Sequence, residues 1–152
     1  MPLNEDFKDL FTALNAESVE YLVVGGYAVI FYAEPRFTKN IDIWVNPTPE
    51  NAARVLRALA RFGAPLGDIT EKDLTNRELV YQIGIAPNRI DIVMDAGGPS
   101  FSDAWKNKTT ASYGDAPIFI IGKNDLLRSK KAMGRPQDLL DAEMLSGPED
   151  NR

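Results

Sequence analysis

The sequence predicts an α/β or α+β fold: one mixed β-sheet flanked by helices, with the chain ending on further helices. Three observations carry this. Helical and strand-like segments alternate through the first half; short β-rich apolar runs stop at Gly, Pro or Asn; and the last strong segments, after an apolar strand, have helical character. The 152 residues suit one domain with a real core, expected over residues 1–146, with 147–152 a flexible tail.

The elements follow in order. Asn4 is a helix cap, with Glu5 and Asp6 at the positive end of the first helix and Phe7, Leu10, Phe11 and Leu14 on its buried face. Tyr21 to Val24 is a short strand that ends at Gly25-Gly26, and Tyr27 to Tyr32 continues as a helix that Pro35 stops. Ile41 to Val45 alternates as a strand. Thr48 and Pro49 start a helix that runs through Val55, Leu56 and Leu59 to a stop near Gly63. A polar, loop-like stretch follows over Gly67 to Asn76. Leu79 to Ile85 and Arg89 to Met94 read as two strands joined at Pro87-Asn88, and Gly97-Gly98-Pro99 breaks the chain. Pro117 to Ile121 is an apolar strand, and Asn124 to Met133 and Pro136 to Leu145 are helices separated at Gly134-Arg135-Pro136.

Composition excludes several chemistries. The chain has no cysteine and no histidine, which removes disulfides, thiolate and imidazole catalysis, and zinc sites built on those ligands. A metal would be held by oxygen, which points to Mg2+ or Mn2+. The net charge of -5 argues against a broad nucleic-acid surface. No apolar run reaches a membrane span and the N-terminus does not read as a signal peptide, so a cytoplasmic protein without a membrane partner is the expectation.

Four elements offer chemistry. Gly25-Gly26, between strand and helix, lets backbone approach a ligand at the positive end of a helix, although such a pair also serves as a plain tight turn. Asn40 and Asp42 share one strand face and can share a divalent cation; the alternative is a turn residue beside a solvated Asp. Asp91 sits between Ile90 and Ile92, either at a solvated edge or beside Asp42, where the two carboxylates would repel unless a cation lies between them. Lys130 or Lys131 can reach phosphates, whereas Arg135, Asp138 and Asp141 read as a charge cluster that holds the last helix down. Trp44, Phe101 and Trp105 read as core.

Taken together in this order, Val24-Gly25-Gly26-Tyr27-Ala28, Pro35 to Ile43, Ile90-Asp91-Ile92 and the run from Lys130 to Asp141 resemble the minimal nucleotidyltransferases of the DNA polymerase β superfamily. More narrowly they resemble the short bacterial branch related to abortive-infection (AbiEii-like) toxins, over roughly residues 10 to 146. The resemblance implies the nucleotidyltransferase fold and transfer of a nucleoside monophosphate from an NTP to a hydroxyl on RNA, protein or a small molecule, with Mg2+ (or Mn2+). It implies triphosphate binding by Gly25 and Gly26, metal binding by Asn40, Asp42 and Asp91, and a catalytic set of Asp42, Asp91 and Lys130. Arg36, Thr38 and Lys130 join the nucleotide-binding set. A toxin–antitoxin role, with a cognate antitoxin as partner and a tRNA or protein as acceptor, is implied by the narrower branch. Asn40 departs from the pattern, which has Asp at that position; a neutral amide attracts a cation less than a carboxylate does. A working enzyme with a weaker metal site, an NTP-binding regulatory or antitoxin-type module, and an enzyme using another carboxylate all stay open.

Overall fold

The protein is described by a computed structural model covering residues 3–147. The expected tail lies, from residue 148 onward, outside the described residues.

Local chemistry starts each element. Helix α1 (Glu5–Ala16) opens where the Asn4 side chain accepts hydrogen bonds from the backbone N–H groups of Asp6 and Phe7, with Glu5 and Asp6 in the first turn. Its buried stripe of Phe7, Leu10, Phe11 and Leu14 faces the core. Strand β1 (Tyr21–Val24) runs directly into helix α2 (Gly25–Tyr32), two residues earlier than the apolar pattern after the glycines suggests. Strand β2 (Asn40–Val45) leads to helix α3 (Pro49–Phe62). That helix starts as expected, with the Thr48 hydroxyl accepting from Asn51 N–H and Pro49 in the first turn, and it ends at Gly63 in the left-handed conformation. A short 3-10 turn, Asp73–Thr75, punctuates the polar stretch that follows.

Strands β3 (Val80–Ile83) and β4 (Arg89–Val93) form the expected hairpin. Two elements then appear that hydrophobic patterning did not mark: helix α4 (Phe101–Lys106) and strand β5 (Thr109–Tyr113). Strand β6 (Ala116–Ile120), helix α5 (Lys123–Met133) and helix α6 (Pro136–Leu145) complete the chain.

The six strands lie in the order β3-β4-β2-β1-β6-β5. The centre is mixed: β1 is antiparallel to β2 and parallel to β6, while β2 is parallel to β4. Both edges are antiparallel hairpins. Every residue of β1 is buried, as expected of a strand covered on both faces. On one face Phe11 of α1 stacks on Tyr21 at 6.0 Å, and α1 packs on α3. On the other face Trp44 meets Phe101 edge-on at 5.1 Å, and α2 packs against α5 and α6. Trp44 and Phe101 are therefore core, as read from the sequence, and Trp105 stacks on Phe101 from a half-buried position. Among the described residues no helix is long and apolar enough to cross a membrane.

Candidate nucleotide and metal site

Side chains alternate along a strand, so residues 40 and 42 share a face, as do 89 and 91. The parallel register of β2 with β4 pairs Asn40 with Arg89 and Asp42 with Asp91. Four polar side chains thus form a block on one sheet face. Asp91 is not at an edge, because β3 covers β4, and it is only 7% exposed.

The block is wired internally. The Asn40 amide nitrogen donates to Asp42 Oδ1 at 2.5 Å and to Asp91 Oδ2 at 3.2 Å, bridging the two carboxylates. Arg89 forks onto Asp91, its Nε donating to Oδ1 at 3.0 Å and its Nη2 to Oδ2 at 2.9 Å. Burial, then the charge of Asp91, pushes the Asp42 carboxyl up from 3.8 to about 6, against the opposing effects of the Asn40 bond and of Lys130 and Arg135. Two carboxylates at close quarters, with one guanidinium bonded directly to Asp91 and none among the described residues to Asp42, leave the pair short of positive charge.

The glycines make room for this block. A Cβ on Gly25 would lie 2.1 Å from Asp42 Oδ2, and Gly25 has φ +67°. A Cβ on Gly26 would lie 2.8 Å from both Arg36 Nη2 and Thr38 Oγ1. The glycine pair is therefore more than a tight turn: it lets β2 and the segment before it press against the start of α2. No side chain caps α2, so its first N–H groups face the cleft with the helix's partial positive charge. Arg36 and Thr38 act at this point by packing. Thr38 Oγ1 donates to the Asn40 carbonyl at 3.1 Å, and Arg36 Nη2 donates to Asp141 Oδ2 at 2.9 Å.

Lys130 reaches the same cleft from α5, but its ammonium is held by Asp138 at 3.2 Å and Asp141 at 3.0 Å. Arg135 closes the cluster on Asp138 at 2.6 Å, and its backbone N–H donates to Asp138 Oδ2 at 3.2 Å at the start of α6. Burial pushes the Asp138 carboxyl up, but Arg135 and Lys130 outweigh it and hold it below its ordinary range. The sequence reading of Arg135, Asp138 and Asp141 as a locking cluster matches this arrangement, with Lys130 and Arg36 as further members.

These elements line one cleft of about 640 Å3. The structure brings together Gly25, Gly26, Asn40, Asp42 and Asp91, with Arg36, Thr38 and Lys130 around them. It adds three cations that sequence reasoning assigned no part in the site, Lys39, Arg89 and Arg135. The signal for Arg89 was present as its two-residue spacing from Asp91 on a strand.

A hard divalent cation needs oxygen donors, and the carboxylates of Asp42 and Asp91 supply them. The Asp42 carboxyl is raised first by burial and second by the charge of Asp91, and a bound cation would relieve the second of these. Asn40 turns its amide nitrogen toward both carboxylates, so it joins the donor set only with its amide reversed. Among the described residues no group of three or more acidic side chains forms a metal cage.

No family model matches the chain, and a search of curated proteins returns no match. Among solved structures, the fold is similar to that of the lincosamide antibiotic adenylyltransferase LnuA in its lincomycin-bound crystal structure. Identity is 15% and the TM-score 0.60, with 97% of this chain and 99% of that chain covered. A likeness at this identity is one of fold: the chain has a nucleotidyltransferase-type fold, in agreement with the architecture expected from its motifs.

Proposed function

We propose that the protein is a Mg2+- or Mn2+-dependent nucleotidyltransferase that moves a nucleoside monophosphate from an NTP to an acceptor hydroxyl. The observation that carries this reading is the direct pairing of Asp42 with Asp91 beneath the uncapped start of α2. The triphosphate lies against the N–H groups at Gly25 and Gly26, within the positive field of Lys39, Lys130 and Arg135. Arg36 and Thr38 contribute by fixing the approach of the backbone at Gly26. When bound by Asp42 and Asp91, a divalent ion neutralises phosphate charge and aligns the reacting oxygens. The acceptor oxygen bonds to the α-phosphorus, the α–β anhydride bond breaks and pyrophosphate leaves. Asp91, whose oxygens already accept three N–H bonds, helps to orient the attacking hydroxyl, whose proton leaves to solvent, while Lys130 acts through its field, since its ammonium is tied to Asp138 and Asp141.

LnuA acts on an antibiotic, so a small-molecule acceptor is one arm of the reading; tRNA and protein acceptors, as for a cytoplasmic toxin with a cognate antitoxin, are the others. The test is incubation with each α-labelled NTP and Mg2+ or Mn2+ in an extract that contains RNA, protein and small molecules. Label transferred by wild type and lost in Asp42→Ala supports the reading and identifies the acceptor class. Transfer at the wild-type rate by Asp42→Ala refutes it.

A second reading has its own observation. The Asn40 amide already bridges both carboxylates, which suits an NTP-binding regulatory or antitoxin-type module with little turnover. In that case wild type binds NTP silently and Asn40→Asp restores transfer.

A further inference from the structure

The 40/42/89/91 block carries an unusual charge count for the chemistry proposed. Two-metal phosphoryl-transfer sites hold their ions about 3.5–4 Å apart. Divalent ions that close repel four times as strongly as unit charges, so such a pair needs a surplus of carboxylate around it. Here the four positions hold two carboxylates, one neutral amide and one guanidinium, a net charge of one negative.

The free valences are few and lie on one side. Asp91 accepts three N–H bonds: Oδ1 from Arg89 Nε, and Oδ2 from both Arg89 Nη2 and Asn40 Nδ2. Asp42 Oδ1 accepts from Asn40. Asp42 Oδ2 accepts no hydrogen bond from the described residues, and it is the oxygen that lies under Gly25, at the start of α2 where the triphosphate is placed. In the Arg89–Asp91 pair the carboxylate is sheltered, at 9% exposed, while the guanidinium side chain is 32% exposed, and the bidentate geometry is of the strong kind.

We propose that Arg89 is the second cation of this site: its guanidinium stays on Asp91 in place of a second divalent ion, and the chain binds a single divalent ion, the one that arrives with the triphosphate. Asp42 Oδ2 and the remaining capacity of Asp91 take that ion. Asn40 and Arg89 belong to one arrangement: a carboxylate at position 40 would supply the missing charge for a second ion, and the guanidinium at position 89 occupies its side of Asp91. Arg89 is a positioning residue, acting through Asp91. This inference rests on the nucleotidyltransferase reading above.

Equilibrium dialysis against Mn2+ and a non-hydrolysable α,β-methylene NTP analogue tests it by counting the Mn2+ and analogue retained per chain. Wild type is expected to retain one of each. Asn40→Asp/Arg89→Gln is expected to retain a second Mn2+ at least about tenfold more tightly than wild type. Two Mn2+ per wild-type chain would overturn the single-ion site and leave the nucleotidyltransferase reading standing; that measurement needs no variant, so misfolding cannot mask it. One Mn2+ in both proteins, with the double variant folded by circular dichroism, would likewise overturn the role of Arg89 alone. If wild type retains neither Mn2+ nor analogue, the function reading and this inference fail together.

Discussion

At one end of the cleft Asp138 and Asp141 lie beneath Lys130, Arg135 and Arg36; at the other Asp42 and Asp91 have Arg89 alone as a directly bonded cation. Both ends set aspartates against basic side chains, and Asp91, Asp138 and Asp141 are all buried. The first end has more cations than carboxylates, and its Asp138 is held ionised. The second has more carboxylates than cations, and its Asp42 resists ionisation. Acidic residues therefore hold the fold together at one end and burden it at the other. A charge arrangement that costs stability while lining an open cleft is the pattern expected where binding a cation is the purpose.

The largest expected effect breaks the saturated end. Asp141→Asn leaves Arg36 and Lys130 partly unpaired in a fully buried position, and should destabilise the protein by about 3–5 kcal/mol in urea denaturation. A loss under about 1 kcal/mol would mean that this end is not the lock described.

Asp42→Asn should do the reverse. With its carboxyl raised from 3.8 to about 6, the folded protein holds a proton there that the unfolded chain has released. The stability associated with Asp42 is thus fully present below about pH 4 and lost as pH rises through about 6. Removing the charge should stabilise the metal-free protein at pH 7.5 by about 1–2 kcal/mol, after allowance for the partial exposure of Asp42, and should change little at pH 4. Saturating Mg2+ should shrink this advantage. Asp138 has the opposite sign: its lowered carboxyl contributes stability above the ordinary carboxylate range, which is lost as pH falls through its depressed value. Denaturation from pH 3 to 8 should therefore show wild type losing stability at both ends of the range and Asp42→Asn only at the acid end.

The smallest effect is at the rim of the lock. Arg135 is 66% exposed as a side chain, so Arg135→Ala should cost less than about 1 kcal/mol, and added salt should shrink the loss further.

Much of this arrangement was legible in the sequence, because it rests on local rules. Cap residues, glycine stops and apolar runs located most helices and strands, and the two-residue spacing placed Asn40 and Asp42 on one face. The pairing of Asp42 with Asp91 was readable only as an option, since register between distant strands depends on the whole sheet. Strand β5 escaped because it lies at an edge, where only Tyr113 is buried and no apolar alternation is needed. Helix α4 is six residues long, too short for helical periodicity to show, although Ser100 with Asp103 three positions on was a cap signal. Lys130 shows a different limit. A lysine near phosphate-binding glycines reads the same whether its ammonium is free or shared between two buried aspartates, and only the packing of α5 on α6 distinguishes them.

The parallel seam between β2 and β4 has a consequence for how the molecule behaves when it is only partly assembled. Asp42 and Asp91 arrive from strands separated by helix α3 and the polar stretch after it, and they meet only when the β3–β4 hairpin docks. A chain whose hairpin has peeled away retains β1, β2 and the glycine corner but has half a site. Amide exchange at the β2–β4 seam should therefore mark the limit of ligand binding more faithfully than the melting of α1 or α3, and a protease that clips the Gly84–Asn88 turn should silence the cleft before the rest of the core opens.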